Sequence, residues 1–96
     1  KRLKLCNFEF ELDIPFLNNL FLKQDKKCKL SGIQMTYNIN SGNSIYNVSV
    51  DRIDSSKGYT KDNTQLVCNQ VNSMKGTLSE EAFYTLCKLI IKNHER

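Results

Sequence analysis

One stretch of this chain concentrates residue types that handle charge. Val50-Asp51-Arg52-Ile53-Asp54 is followed by Lys57-Gly58-Tyr59, by Asn63, and by a run from Cys68 through Asn72 to Lys75. A carboxylate and a neutral oxygen donor, such as those of Asp51 and Asn72, suit a hard cation like Mg²⁺, whose other positions are filled by water and substrate phosphate. Lys57, Lys61 and Lys75 around such a site make a phosphate-contacting rim. Tyr59 stands in the same loop, where stacking on the loop or core competes with contact to a base. Each residue also has an ordinary use. Asp51 could cap a turn, Asn72 could sit on a helix surface, Asn63 could cap the loop, and lysines are common on any surface. Asp54 reads as a loop organiser through a local side-chain to backbone bond.

These residues need elements to position them. From 45 to 53 the chain alternates, with Ile45, Asn47, Ser49 and Asp51 on one face and Tyr46, Val48, Val50 and Arg52 on the other, which is a strand pattern. A polar loop from Asp54 to Asp62 contains Gly58, and Leu66-Val67 lie in a short second strand over 63–68. Asn69 to Lys75 reads as a short helix stopped by Gly76. An antiparallel hairpin crossed by this helix would bring Asp51 and Asn72 to one place.

Flanking elements complete the chain. Phe8 to Leu12 alternates as a strand or arm. Asp13 and Pro15 open a helix whose Phe16, Leu17, Leu20 and Phe21 recur at helical spacing through Lys26. Cys28 to Gly32 is a tight turn, and Asn38 to Ser44 a polar loop. Ser79 caps a last helix, with Glu80 and Glu81 in its first turn and Phe83, Leu86, Cys87, Ile90 and Ile91 on its expected buried face.

The central stretch resembles the HNH endonuclease motif of the ββα-metal (His-Me finger) family. Its usual form is Asp-His-Ile on the first strand, an Asn in the loop, and His or Asn on the helix, trailed by Lys. Asp51-Arg52-Ile53 matches the first part, Asn63 the second, Asn72 the third, and Lys75 follows. The wording Asp-Arg-Ile-Asp-Ser-Ser-Lys-Gly-Tyr looks like a subgroup common among phage and mobile-element proteins. The resemblance covers roughly residues 28 to 76. It implies an α+β fold, with a ββα-metal core over 45–76 flanked by N- and C-terminal helices. It further implies Mg²⁺- or Mn²⁺-dependent cleavage of DNA phosphodiester bonds. Asp51 and Asn72 would be metal ligands, and Asp51, Arg52, Asn63 and Asn72 the catalytic set. Lys57, Lys61, Lys75 and Tyr59 would be the nucleic-acid contacts. Many relatives hold a structural zinc with two Cys-x-x-Cys pairs. Here Cys28 and Cys68 stand where each pair begins, while Ser31 and Val71 replace the second cysteines, so no structural zinc is expected.

One position departs from the motif. Arg52 stands where the family has the histidine that serves as general base, and a guanidinium cannot accept a proton near neutral pH. Either another group such as Asp54 or a water does that work, or Arg52 stabilises charge on the phosphate, or the domain binds DNA without cutting it. A structural or protein-interaction domain of a larger assembly is a further alternative. His94, near the end of the sequence, reads as a solvated surface residue.

Composition is compatible with these readings. The 96 residues suffice for one domain; a net charge of +4 fits a polyanionic partner, and 40% hydrophobic with 25% charged residues is ordinary for a globular protein. No apolar run approaches the ~18 residues of a membrane span. No apolar segment follows the basic N-terminus as a secretion signal requires. The expectation is an intracellular protein, cytoplasmic or nucleoid-associated, with its four cysteines as thiols. The sequence does not begin with Met, so a fragment of a longer protein is compatible with it.

Overall fold

The computed structural model describes residues 3–5, 8–10, 12–37 and 44–96. The polar loop expected between Asn38 and Ser44 falls almost wholly outside them, as does Cys6. Two short strands, β1 (Leu3–Leu5) and β2 (Phe8–Phe10), pair antiparallel. Helix α1 (Ile14–Lys23) follows, then strands β3 (Val48–Arg52) and β4 (Thr64–Cys68), helix α2 (Asn69–Lys75) and helix α3 (Glu80–His94). The class is α+β, and among the described residues no helix is long and apolar enough to cross a membrane.

Helix α1 begins because Asp13 Oδ1 accepts a hydrogen bond from the Phe16 amide (2.9 Å), with Pro15 in the first turn. It ends three residues earlier than its periodicity suggests. Asp25 and Lys26 adopt φ of 56° and 60°, a left-handed reversal that breaks the helix. The chain then makes the Cys28–Gly32 turn, where Gly32 has φ 76° and its amide bonds the Cys28 carbonyl.

Strands β3 and β4 form an antiparallel hairpin in which Val50 faces Leu66 and Asp51 faces Gln65. The strand is shorter than the 45–53 pattern implies. Ile45 and Tyr46 lie in a turn and are largely exposed, because Asn47 is drawn into a bridge with Thr36 instead. The second strand likewise starts one residue late, since Asn63 closes a 3-10 turn over Lys61–Asn63.

The hairpin lies between two helices. On one face Val48, Val50, Leu66 and Cys68 meet Leu17, Leu20 and Phe21 of α1. Cys28 and Met35 complete this small core. The Gln24 side chain fastens α1 to β4: its Nε2 donates to the Leu66 carbonyl (2.9 Å) and its Oε1 accepts from the Leu66 amide (3.0 Å). On the other face the alternation turns Ser49, Asp51, Gln65 and Val67 toward α2. Helix α2 is ended by Gly76 at φ 56°, whose amide bonds the Asn72 carbonyl. Ser79 caps α3 through the Ala82 amide.

The expected buried face of α3 is corrected by the structure. Phe83 alone is buried on that helix, and Cys87 is half-buried. Leu86, Ile90 and Ile91 are 46%, 66% and 53% exposed. The helix runs past the edge of the small core formed by the described residues.

Candidate functional site

Asp51 lies near the end of β3, on the face that α2 covers. It is buried, and its Oδ2 takes two hydrogen bonds: from Lys75 Nζ at 2.6 Å and from Gln65 Nε2 at 2.8 Å. Lys75 also donates to the Arg52 carbonyl (2.8 Å). The two charged side chains are nearly removed from solvent, at 0% for Lys75 and 6% for Asp51. Removing both charges from water is expensive, so the pair holds only because each partner is matched. Gln65 extends the network by donating to Glu80 Oε2 (2.8 Å), the first residue of α3. Tyr84, one turn on, donates to the other Glu80 oxygen. Desolvation, with the hydrogen bond and negative charge of Glu80, raises the Tyr84 phenol above its ordinary value.

Asn72 approaches the same face from α2. Its Nδ2 donates to Ser49 Oγ (2.6 Å) and, more weakly, to the Val50 carbonyl (3.5 Å). These bonds hold the amide nitrogen against β3. Asp51 and Asn72 are therefore brought together on one side of the hairpin, each oriented by partners in β3, β4 and α2. Both of these bonds to Asp51 fall on Oδ2. Among the described residues no three His, Cys, Asp or Glu side chains gather as a metal cluster. A cation here would rest on one carboxylate and one amide oxygen. That sparse set suits Mg²⁺, which keeps several waters and often binds through one or two carboxylates plus phosphate.

Arg52 and Asn63 do not join this pair. Arg52 follows Asp51 in the strand and so points to the opposite face. There its guanidinium lies 5.2 Å from the Tyr59 ring centre and donates to the Lys57 carbonyl (3.1 Å). Asn63 is buried and ties the Asp54–Asp62 loop. Its Oδ1 accepts from the Asp54 amide (2.9 Å), and its Nδ2 donates to the carbonyls of Asp54 (3.1 Å) and Gly58 (2.9 Å). Asp54 accepts from the Ser56 hydroxyl and amide, and these bonds hold its carboxyl below the usual range. The two motif residues thus set the shape of the loop beside the Asp51–Asn72 face.

The lysines divide. Lys57 and Lys61 are exposed; the ammonium of Lys61 stands 5.7 Å from the Phe16 ring centre. Lys75, which the motif reading places on the rim, is instead 1% exposed and serves Asp51. A cation on the inner side of α2, opposite a buried carboxylate, is drawn to it rather than to solvent. Gln65 and Glu80 carry no motif signal. The hairpin register, which sets Gln65 across from Asp51, is the one pattern that points to Gln65.

The turn at Cys28 sits against β4. The Lys29 amide donates to the Leu66 carbonyl, and the Ser31 amide approaches Cys28 Sγ at 3.4 Å. Burial pushes the Cys28 thiol up, but the Ser31 hydroxyl and the amides of Cys68, Ser31 and Leu30 outweigh it and leave it below its ordinary value. Cys28, Cys68 and Cys87 are all thiols. Comparison with family models, curated proteins and solved structures finds no match to this chain.

Proposed function

We propose that this chain is a divalent-metal-dependent nuclease domain acting on DNA, organised as an HNH-type ββα unit. The observation that supports the reading is that Asp51 and Asn72 are both held on the same face of a hairpin–helix unit, Asp51 by Gln65 and Lys75 and Asn72 by Ser49. Mg²⁺ or Mn²⁺ held there would polarise a phosphate and offset its developing charge. The chain's own residues orient this site. Lys75 and Gln65 hold Asp51, Ser49 holds Asn72, and Asn63 fixes the loop alongside. Lys57 and Lys61 neutralise backbone phosphates. Arg52 points to the opposite face of the hairpin, beside Tyr59, so its cation would meet a phosphate only beyond the Asp51–Asn72 face, and it cannot take a proton from water. Asp54 is a weak base, since Ser56 favours its charged form.

A second reading keeps the DNA surface and drops the chemistry. It is favoured by the Lys75 ammonium, which already answers the charge of Asp51, and by Arg52 in place of a base. Nicking of supercoiled plasmid with Mg²⁺ or Mn²⁺, repeated with EDTA, separates the two. Cutting that EDTA stops, and that Asp51→Ala and Asn72→Ala abolish while circular dichroism shows the fold retained, supports the nuclease. Salt-dependent DNA binding without cutting supports the second reading. A chain that neither cuts nor binds DNA is a structural or interaction domain, and both readings fail.

A further inference from the structure

A groove opens between α1 and the 3-10 turn that precedes β4. Helix α1 covers the face of the hairpin opposite Asp51 and Asn72, so the groove lies on that opposite side. Phe16, Asn19, Leu20 and Lys23 stand at i, i+3, i+4 and i+7, one stripe of the helix, and line the groove together with Leu22; Lys61 of the turn lines it from across. The groove is open to solvent and holds about 600 Å³, within the range of ligand sites. Its lining is apolar with a cation at two points. Lys61 Nζ stands 5.7 Å from the Phe16 ring centre, and Lys23 ends the stripe. Among the described residues no carboxylate lines the groove, and neither lysine is in an ion pair. The acids nearest in sequence have other partners. Asp13 accepts from the Phe16 amide, Asp62 from the Thr60 hydroxyl, and Asp25 stands 4.0 Å from Lys27.

We propose that this groove binds single-stranded nucleic acid, with backbone phosphates on Lys23 and Lys61 and a base against the apolar stripe between them. Two exposed cations with no acid between them select an anion. The aromatic and aliphatic surface that separates them selects a polymer in which charge alternates with flat rings. An acidic peptide supplies the charge without the rings. The Asn19 amide offers both a donor and an acceptor to a base edge. A stacked duplex keeps its base faces covered, so the strand that enters is single. Arg52 over Tyr59 repeats the pairing of cation and ring on the same side of the hairpin, and Tyr59 stands two residues before Lys61. This surface is separate from the Asp51–Asn72 face and rests on the nuclease reading only for the class of polymer.

Fluorescence anisotropy of a labelled oligothymidylate of about twelve nucleotides, titrated with the whole chain in EDTA at several salt concentrations, tests this. Lys23→Ala/Lys61→Ala should weaken binding and reduce the salt slope by about 1.4, the share of two phosphate contacts on a single strand. Lys88→Ala/Lys92→Ala removes the same charge from α3 and should leave the slope unchanged. Phe16→Leu should weaken binding roughly 5- to 150-fold, the worth of one stacked base, without changing the slope. Circular dichroism checks that each variant is folded. No binding by the wild-type chain, or equal losses in the two lysine pairs, overturns the groove. Equal competition by oligoglutamate overturns nucleic acid as its ligand, and equal competition by duplex overturns the single strand. The nuclease reading fails separately. Plasmid nicking without oligothymidylate binding overturns the groove alone, and binding through Lys23 and Lys61 without nicking supports the groove while overturning the nuclease.

Discussion

Replacing Lys75 by Met keeps most of the aliphatic volume and removes the charge, so it isolates the pair with Asp51. The contact is 2.6 Å, with 0% and 6% of the two side chains exposed. Removing one partner of such a pair typically costs about 3–5 kcal/mol, because the remaining charge stays buried and unmatched. Gln65 still donates to Asp51 at 2.8 Å, which retains part of the stabilisation, while the Arg52 carbonyl loses its Lys75 donor. The lower end follows, about 3 kcal/mol. In a domain of this size that is a large share of the ~5–14 kcal/mol total, and corresponds to a midpoint lowered by roughly 12–24 °C. Urea unfolding followed by circular dichroism measures it. The double variant Asp51→Leu/Lys75→Met should recover most of the loss, since a matched apolar pair has no charge to strand. A loss under about 1 kcal/mol in the single variant would show that water or another cation reaches Asp51, and the argument from burial would fail.

Asn63→Ala removes three loop hydrogen bonds made by a buried side chain to partly buried backbone groups, which should cost about 1–3 kcal/mol in the same assay. Single-turnover cleavage by wild type, Arg52→His and Arg52→Ala separates the roles of position 52. A cation on the phosphate predicts that both variants slow, whereas a site lacking only a base predicts that histidine speeds it by up to ~10²–10⁴-fold. Equal rates would remove Arg52 from the chemistry. Asp54 should titrate by NMR below an ordinary aspartate, and Ser56→Ala should bring it back up. Because its folded value is depressed, its contribution to stability is present above the unfolded value and lost as pH falls through the folded one. Elemental analysis should find no stoichiometric zinc, since Ser31 and Val71 stand where further thiolates would be needed.

Much of the hairpin was legible because its alternation is local. Ser49 and Asp51 on one face, and Val48, Val50 and Arg52 on the other, follow from a period of two. The bounds of α2 and the caps Asp13, Ser79 and Gly76 were equally readable, since each acts within one helical turn. Lys75 was misplaced because its environment depends on a contact with Asp51 across the fold, and a surface lysine and a buried one look alike in sequence. The same limit hid Gln65 and Glu80. For α3 the periodicity was sound, but periodicity states which side chains share a face. It does not say whether the core is wide enough to cover them.

The attachment of Gln24 to Leu66 bears on how this chain avoids sticking to others. A two-stranded hairpin leaves an outer row of amides and carbonyls that can recruit a foreign strand. On β4 the Leu66 amide and carbonyl are both engaged by the Gln24 carboxamide, whose paired donor and acceptor imitate one peptide unit of a neighbouring strand. Lys29 donates to the same carbonyl, and the Cys28–Gly32 turn lies alongside. The border is thus sealed by one side chain and a tight turn rather than by a third strand. A mutation at Gln24 would therefore loosen α1 and also open an edge along which chains can add to one another and precipitate.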